Sequence, residues 1–504
     1  MINGKMTYDK DLTAIQEMRT VIQKAKVAQA AYRHFTQEQV NKIVEHVATK
    51  AFQAADYLAE MAVEETKMGV REHKKIKNEV GSKAVFESIK DLKTVGVIHE
   101  DKVNKLLEIA DPYGVILAII PTTNPTSTAF YKAIIALKTR NAIVVSPHPY
   151  AVKCTEAALK VCHDAAVEAG APPELIQILT YASMEATSQA MKHSDIDLIL
   201  ATGGGALVKA AYSSGKPAYG VGPGNVPVYV EKTAQIDRAS KHIIDSKSFD
   251  NGTICATEQA IVVDQQVAEI FIQKVKQQGA YILNDEEKLK MERVISPTLG
   301  KVSPKIVGKS AIEIAKKAGI QVPVDTRVLI GKETEIGNKI PFSLEKLSPV
   351  FAMYISTDID DAKRICNGLL DLGGRGHSLS IHTEDDQVAR TFALEMPVSR
   401  ILVNTMSSVG AVGATTGLKA SMTLGCGSYG GNITSDNVSA KHLINIKRMA
   451  YGIREVTLPN QVQSQKNIQL VQSSNSETQT ASSLKEMDAS LVESIVERVI
   501  QKLT

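Results

Sequence analysis

Apolar residues along the chain are spaced in two ways, first with a helical period and then in short runs. From about residue 8 to 92 they recur at helical spacing among Ala, Lys, Glu and Gln, as in VNKIVEHVATKAFQAADYLAEMAVEE, which predicts several helices. Short β-branched runs, including GVILAII, NAIVV, ELIQILT, DLILAT and VPVYV, then alternate with Ala-rich helical stretches. This alternation is typical of parallel βαβ units. We therefore predict an α/β protein with a dinucleotide-type domain over residues 1–233, N-terminal helices included.

Further strands and a change in composition divide the rest of the chain. The runs AIVVD, RVLIG, FAMYIS, SLSIHT and RILVN predict a second α/β domain over residues 234–432. Residues 458–483 are dominated by Gln, Ser, Asn and Thr, which is typical of a flexible linker. The apolar residues of 484–504 share one helical face, so we expect an isolated amphipathic helix there.

Length, charge and cysteine content exclude several classes of protein. A chain of 504 residues is too long for a single small binding module and indicates two or three packed units. The net charge of +3 gives no field to attract nucleic acid, and no apolar run approaches the roughly 20 residues that span a bilayer. Five cysteines without a C-x-x-C pair and eleven scattered histidines argue against disulfides and a metal site. We expect a soluble enzyme of a reducing cytosol, with no membrane, nucleic-acid or metal partner.

Two segments carry candidate catalytic residues. In SFDNGTICATEQA, Cys255 follows a tight turn; a lone cysteine is often a buried core residue, but a thiol beside free backbone N–H groups can become a nucleophile. In IIPTTNPTSTAFYKAIIAL, Asn124 lies between a strand and a helix, where Asn before Pro is commonly only a turn residue. Together they suggest attack of a thiolate on an aldehyde, with the Asn124 amide and a backbone N–H holding the oxyanion.

Glycine clusters at strand ends raise the question of a nucleotide site. Gly203 and Gly204 follow the run LILAT and precede a helix, so a phosphate or a nicotinamide can approach the backbone there. The spacing is not G-x-G-x-x-G, and glycines at strand ends are frequent in ordinary turns. These residues alone leave nucleotide binding open.

The chain resembles the CoA-acylating branch of the aldehyde dehydrogenase superfamily over roughly residues 8–457. The motifs that carry the resemblance are, in order, PTTNPTSTAFYKAI, ATGGGALVKAAYSSGKPAYGVGPGN, FDNGTICATEQ and SMTLGCGSYGGN. This branch includes the aldehyde dehydrogenase half of bifunctional aldehyde-alcohol dehydrogenases and the acetaldehyde and propionaldehyde dehydrogenases of bacterial microcompartments. The resemblance implies the aldehyde dehydrogenase fold, with a Rossmann-like NAD-binding domain, an α/β catalytic domain and a small oligomerisation element, here residues 433–457. It also implies a homo-oligomer, either a dimer or a tetramer.

The resemblance assigns roles to individual residues. Cys255 matches the nucleophile, and Asn124 matches the oxyanion-hole asparagine. The residues that it places at the cofactor are Thr122, Ser146, Gly203, Gly204, Gly222 and Glu345. Glu345, in EKLSPV, matches a glutamate usually associated with the nicotinamide ribose; the alternative is a surface carboxylate. The superfamily's adenosine-ribose lysine falls at about Ser146, so NAD is implied while NADP stays open.

The chain departs from hydrolytic aldehyde dehydrogenases at the residue that activates water. Their E-L-G-G-K motif corresponds here to GVGPG, and Gly220 cannot act as a general base. We therefore expect an acyl group on Cys255 to pass to coenzyme A, with His377 assisting deprotonation of a thiol; alternatively, His377 is only a satisfied loop residue. The expected reaction converts acetaldehyde or propionaldehyde to its acyl-CoA with NAD and CoA. Sulfoacetaldehyde or succinate semialdehyde is the alternative substrate.

The C-terminal segment resembles the encapsulation peptides of bacterial microcompartment enzymes, in which a polar linker joins the enzyme to a short helix with an apolar face. The resemblance implies that residues 484–504 bind shell proteins and that the cytoplasmic enzyme works inside a microcompartment. The alternative is a helix that folds back on its own subunit or pairs in a coiled coil.

Overall fold

The computed structural model describes residues 9–456 of the chain. The linker expected at 458–483 and the amphipathic helix expected at 484–504 lie outside the described residues. Between residues 9 and 456, no helix combines the length and the apolar character needed to cross a lipid bilayer.

The described residues form two compact units. The larger unit comprises residues 9–100 and 107–449, and the smaller one comprises 101–106 and 450–456. The larger unit contains every residue of the candidate site described below.

Five helices form the N-terminal part, as the pattern of residues 8–92 predicts. They are α1 (Lys10–Tyr32), α2 (Gln37–Gln53), α3 (Ala55–Thr66), α4 (Arg71–Glu79) and α5 (Val85–Ile89), with a π-helical turn at Val80–Ala84. Helix α2 begins with a capping box, in which the backbone N–H of Gln39 donates to the Thr36 hydroxyl. Helix α4 is unusual because the side chains it buries are polar: Lys74, Lys77 and Asn78.

A parallel five-stranded sheet follows these helices. After the strands β1 (Gly96–Asp101) and β2 (Leu106–Pro112), its elements are β3 (Val115–Ile119), α6 (Pro125–Lys138), β4 (Ala142–Ser146), α7 (Val152–Glu168), β5 (Ile176–Ile178), α8 (Met184–Lys192), β6 (Leu198–Thr202), α9 (Gly205–Tyr212) and β7 (Ala218–Val221). The strand order is β5-β4-β3-β6-β7. The order reverses between β3 and β6, and sheets of this type bind ligands at the carboxyl ends of the strands at such a point. The dinucleotide-type architecture is confirmed.

The second sheet has seven parallel strands. Its elements are β8 (Val226–Val230), α10 (Ile236–Ser248), β9 (Glu258–Asp264), α11 (Ala268–Gln277), β10 (Ala280–Ile282), α12 (Asp285–Ile295), α13 (Ala311–Lys317), β11 (Val328–Lys332), β12 (Val350–Ser356), α14 (Ile359–Asp371), β13 (Leu379–His382), α15 (Asp386–Glu395) and β14 (Ile401–Val403), followed by α16 (Ser407–Gly410). The strand order is β10-β11-β12-β9-β8-β13-β14.

The placement of the run VPVYV in the first domain, which we ended at residue 233, was wrong. This run forms β8, which pairs with β9 and β13 of the seven-stranded sheet. All five of its residues are buried, so its pattern does not show which sheet it joins. The division between the two sheets falls between Val221 and Val226.

Side chains of the central strands pack alternately into two apolar cores. Val228, Val230 and Ile261 belong to one core, whereas Tyr229 and Val262 belong to the other. Both faces of the sheet are therefore covered, as parallel sheets require. Strand β9, which follows the candidate nucleophile, is thereby fixed at the centre of the sheet.

A small sheet, in the order β1-β2-β15, completes the fold. Strand β15 (Ile444–Ala450) comes from the segment 433–457 that we expected to form the oligomerisation element. Beyond Ile444, its residues are all exposed. Its part in oligomerisation stays a prediction.

Candidate active site

Cys255 lies between a left-handed turn and the start of β9. Asp250, Asn251 and Gly252 have φ angles of 48°, 53° and 72°, so three successive residues occupy a region that favours glycine. Such a backbone persists only where its surroundings hold it. One restraint comes from the start of helix α4, where the Val70 backbone N–H donates to the Asp250 carboxylate at 2.7 Å.

A cavity of about 800 Å³ opens at the carboxyl ends of β3, β4 and β6. Its volume suits a small-molecule or cofactor site. The structure brings eight of the predicted site residues together on its wall: Cys255, Asn124, Thr122, Ser146, Gly203, Gly204, Gly222 and Glu345. The predicted nucleophile and the predicted cofactor-binding residues therefore share one space.

His377 is buried and does not line this cavity. Its Nδ1 lies 3.1 Å from the Ser378 hydroxyl, and its Nε2 has no hydrogen-bond partner among the described residues. A Cβ placed on Gly224 would come within 3.1 Å of two His377 ring carbons and still closer to the Cys255 carbonyl oxygen. Burial and the nearby Arg400 lower the pKa of His377 to about 3, so the ring is neutral. Its assistance in deprotonating a thiol stays a prediction.

The Cys255 thiol holds its proton firmly. Burial first, and then the neighbouring Glu345 and Cys426, raise the pKa of Cys255 to about 12, while Arg400 acts in the opposite direction. Burial also raises the pKa of Glu345 to about 7, against the effect of the Gly224 N–H that donates to its Oε1 at 2.9 Å. Nucleophilic attack therefore requires a proton acceptor, and Glu345 is a carboxylate of suitable pKa on the same wall.

The Asn124 side chain is fixed from both sides. It lies at the start of α6, and its Oδ1 accepts a hydrogen bond from the Lys77 ammonium at 2.6 Å. Its Nδ2 donates to the Thr123 hydroxyl at 3.1 Å and lies 3.5 Å from the Thr253 carbonyl oxygen. The amide nitrogen therefore faces the segment that leads to Cys255.

A buried ionic cluster supports this arrangement. The Lys74 ammonium donates to the Asp250 carboxylate at 3.0 Å, and Lys77 contacts the same carboxylate oxygen and the Thr253 hydroxyl, the latter at 2.8 Å. The sequence analysis missed these lysines. In REHKKIKNE the single large apolar residue, Ile76, is exposed, so the pattern resembles an ordinary solvated helix.

The residues expected at the cofactor contribute hydroxyl groups and open backbone to the cavity wall. Ser146, at the end of β4, shares a hydrogen bond of 2.7 Å with the Thr187 hydroxyl. A Cβ added to Gly204 or Gly222 would meet no atom within 4 Å, so a ligand can approach the main chain at both positions. Burial lowers the pKa of His148, which lines the same cavity and is therefore neutral near pH 7. These residues fit a nicotinamide dinucleotide.

Charged groups are scarce on the cavity wall. Among the described lining residues, Glu345 is the sole carboxylate, and no lysine or arginine takes part. Gly220 does not reach the wall, because it lies in β7 with the Tyr212 hydroxyl bonded to its backbone N–H at 3.0 Å. The position of the hydrolytic general base is thus filled by backbone.

Known proteins share both the sequence and the fold. A sequence model of the aldehyde dehydrogenase family matches residues 3–438. The bifunctional aldehyde-alcohol dehydrogenase of Escherichia coli is 46% identical over 444 residues, which are 87% of this chain and 50% of that protein. The chain therefore spans about half the length of this relative. Succinate-semialdehyde dehydrogenase (acetylating) of Clostridium kluyveri is 38% identical, with 88% of this chain and 97% of that protein covered.

Solved structures of aldehyde dehydrogenases are similar to this chain in fold as well as in sequence. An acetylating aldehyde dehydrogenase from Geobacillus thermoglucosidasius has 51% identity and a TM-score of 0.88, covering 90% of this chain and 100% of that one. A propionaldehyde dehydrogenase from the fucose utilisation microcompartment of Clostridium phytofermentans has 29% identity and a TM-score of 0.80. The match covers 87% of this chain and 99% of that one. The resemblance read from the motifs and the expected fold are both confirmed. The chain belongs to the aldehyde dehydrogenase family.

Proposed function

We propose that this protein is a CoA-acylating, NAD-dependent aldehyde dehydrogenase acting on a short, uncharged aldehyde such as acetaldehyde or propionaldehyde. The observation that carries the proposal is the shared cavity, whose wall holds Cys255 and Asn124 together with the residues expected at the cofactor. Acetylating and aldehyde-alcohol dehydrogenases among the relatives and solved structures support it.

The chain's own residues account for the first half of the reaction. The Cys255 sulfur adds to the aldehyde carbonyl after its proton passes to an acceptor, for which Glu345 is suited by its raised pKa and its place on the wall. The Asn124 amide and the Cys255 backbone N–H stabilise the oxyanion. NAD, when bound, accepts the hydride. Collapse of the oxyanion leaves a thioester on Cys255.

The second half requires a thiol rather than water. Gly220 corresponds in sequence to the glutamate with which hydrolytic aldehyde dehydrogenases activate water, and a glycine has no side chain that could act as a general base. The CoA thiol loses its proton and its sulfur attacks the thioester carbonyl. The bond between the acyl carbon and the Cys255 sulfur breaks, and the Cys255 sulfur takes up a proton, which re-forms the free enzyme. Acyl-CoA is the product.

The charge of the cavity favours a neutral aldehyde and NAD. A substrate carboxylate or sulfonate would lie in an apolar cavity beside Glu345 with no lining Lys or Arg to pair with it, which costs several kcal/mol. The same argument disfavours the 2′-phosphate of NADP, because His148 on the cavity wall is neutral. Succinate semialdehyde and sulfoacetaldehyde are kept as the alternative substrates, because relatives of 38% identity carry those names.

The proposal is tested by steady-state assays of acyl-CoA formation. We expect kcat/KM for propionaldehyde to exceed that for succinate semialdehyde by about 100-fold or more, and NAD to be preferred over NADP, since each unpaired buried charge costs at least ~3 kcal/mol. Cys255→Ala serves as the inactive control. Equal use of the anionic aldehyde would contradict the assignment of a neutral substrate, and free acid formed without CoA would contradict acylation.

We further propose that the enzyme is a homo-oligomer and that residues 484–504 direct it to the shell proteins of a bacterial microcompartment in the cytoplasm. The sequence pattern of that segment supports this, as does a solved structure from a microcompartment at 29% identity. Deletion of residues 458–504 should leave aldehyde dehydrogenase activity nearly intact and abolish co-purification with shells. Co-purification at the full-length level would contradict the targeting role.

A further inference from the structure

Helix α4 contacts the wall of the candidate cavity through buried polar side chains, because Lys77 hydrogen-bonds the lining residues Asn124 and Thr253. Lys74 and Lys77 are 2% and 3% exposed, and both bind the carboxylate of Asp250, which is fully buried. Burying two ammonium groups is costly, and a single carboxylate neutralises only one of them. The cluster therefore retains one net positive charge in contact with the Asn124 side chain, and charge balance alone does not account for the second lysine.

The two lysines differ in their remaining contacts. Lys74 donates to the Thr123 backbone carbonyl at 3.0 Å and makes no contact with the Asn124 side chain. Lys77 donates to the Asn124 Oδ1 at 2.6 Å and to the Thr253 hydroxyl at 2.8 Å. Of the two lysines, Lys77 is therefore the one that hydrogen-bonds both the side chain of the predicted oxyanion donor and the segment that carries the nucleophile.

The chemistry of this contact determines how Asn124 is oriented. An ammonium group has three donors and no acceptor, so the atom of the amide that faces it must be the oxygen. The NH2 group is consequently turned away from Lys77, toward the segment that ends at Cys255. Hydrogen bonding of a cation to the amide oxygen also polarises the amide and strengthens its N–H donors.

Lys77 also restrains the nucleophile turn. Asp250 and Asn251 have positive φ angles, and the Asp250 carboxylate is held by Lys77, Lys74 and the Thr253 hydroxyl, the last at 2.7 Å. Burial raises the pKa of Asp250, but Lys74 and Lys77 outweigh that effect and hold it at about 2, so the carboxylate stays ionised. Burial lowers the pKa of Lys77 to about 8, against the effect of Asp250, which leaves the ammonium protonated at neutral pH.

We propose that Lys77 is a positioning residue of the reaction: its buried ammonium orients and polarises the Asn124 amide, so that the amide nitrogen stabilises the oxyanion formed at Cys255. The inference rests on the proposed function, because it requires an oxyanion at Cys255. It goes beyond that function by assigning a task to a helix that the catalytic motifs do not include.

The test is a double-mutant cycle between Lys77 and Asn124. Lys77→Met removes the ammonium while keeping most of the side-chain volume, and Lys74→Met is the matched control, since it removes an equally buried ammonium from the same carboxylate. The variants are Lys77→Met, Asn124→Ala, the double variant and Lys74→Met. For each, the burst of NADH formation at saturating propionaldehyde and NAD, the KM for NAD and the melting temperature are measured.

We expect Lys77→Met to slow the burst about 10- to 100-fold, which is less than the ~10²- to 10³-fold loss that removal of an oxyanion donor itself causes, with the KM for NAD changed less than about threefold. Since Lys77 acts through Asn124, the same substitution should slow the Asn124→Ala enzyme by less than about threefold. Lys74→Met should lower the melting temperature similarly but slow the burst far less.

Multiplicative losses in the double variant would overturn the proposal, because Lys77 would then act independently of Asn124. Equal slowing by Lys74→Met and Lys77→Met would also overturn it, because the cluster would then be purely structural. If Lys77→Met does not fold, Lys77→Gln replaces it in the same cycle: its neutral amide can still donate to Asn124 Oδ1 but removes the cation that polarises it, so we expect a smaller slowing, which must still exceed that of Lys74→Met and disappear in the Asn124→Ala enzyme. Absence of acyl-CoA formation by the unaltered enzyme would instead refute the proposed function, and this role with it.

Discussion

Replacement of Gly224 by alanine tests how tightly the nucleophile is packed against the loop that stands in place of the hydrolytic motif. The new Cβ would overlap the Cys255 carbonyl oxygen and lie 3.1 Å from the His377 ring. An ordinary carbon–oxygen contact needs about 3.3 Å, so either the loop or the Cys255 backbone must move by about 1 Å.

Hydrogen bonds hold the loop that contains Gly224 in place. The Gly224 N–H donates to Glu345 Oε1 at 2.9 Å, and the next side chain, Asn225, donates to the carbonyl oxygens of Ser343 at 2.7 Å and Leu369 at 2.8 Å. The displacement therefore falls largely on the Cys255 backbone. A misplacement of about 1 Å in catalytic geometry costs on the order of 100-fold in rate, or about 2.7 kcal/mol in activation free energy.

We expect Gly224→Ala to lower the rate of the NADH burst about 100-fold at saturating substrates, with unfolding destabilised by about 1–3 kcal/mol as in other overpacked cores. Gly222→Ala is the control in the same loop, because its Cβ meets no atom within 4 Å, and we expect it to act mainly on the KM for NAD. Stopped-flow absorbance and urea unfolding measure the two effects. A burst rate for Gly224→Ala within about threefold of the unaltered enzyme would refute the packing argument.

Three further variants probe the nucleophile, the missing base and the acid sensitivity of the fold. Cys255→Ala should abolish NADH formation and leave the melting temperature within a few degrees, because a partly exposed loop thiol contributes little packing; substantial turnover would refute its role as nucleophile. Gly220→Glu should destabilise the protein without creating hydrolytic activity, because its Cβ would come within 2.7 Å of Val208 and 3.0 Å of Tyr212. Urea unfolding measures the destabilisation, and CoA-independent acid release would contradict the placement of residue 220 away from the cavity wall. Burial, with smaller effects of His242 and Arg238, lowers the pKa of His382 to about 3. Below about pH 6.5 the unfolded chain therefore binds a proton that the folded protein does not, and stability falls as the pH drops. His382→Phe should remove up to ~2 kcal/mol of the loss between pH 7 and 5 in urea unfolding, and an unchanged loss would contradict the assignment.

Sequence patterns predicted the elements well where the local signal is strong. The helical period of the first 92 residues and the alternation of β-branched runs with Ala-rich stretches correspond to helices and parallel strands. The boundary at residue 233 failed because β8 is apolar throughout, and which of two sheets a fully buried strand joins depends on long-range pairing that its own residues do not encode.

The candidate site also depends on long-range packing that the local sequence does not encode. Cys255, Asn124 and Glu345 come from distant motifs, and resemblance to a family was sufficient to bring them together before the structure placed them on one wall. Lys77 carried no such signal, because a lysine in a charged helix is normally solvated. Its burial arises from the packing of α4 against the turn at Asp250, a contact between segments 173 residues apart.

The measurement that tests the central claim most directly is the NADH yield in the absence of CoA. With propionaldehyde and NAD alone, the account predicts a burst of about one NADH per Cys255, accompanied by an enzyme mass increase corresponding to one propionyl group, because Gly220 has no side chain that could activate water. Addition of CoA should then restore continuous NADH formation, remove the added mass and yield propionyl-CoA. Sustained NADH formation without CoA, with free propionate as the product and no acyl group on Cys255, would contradict the account.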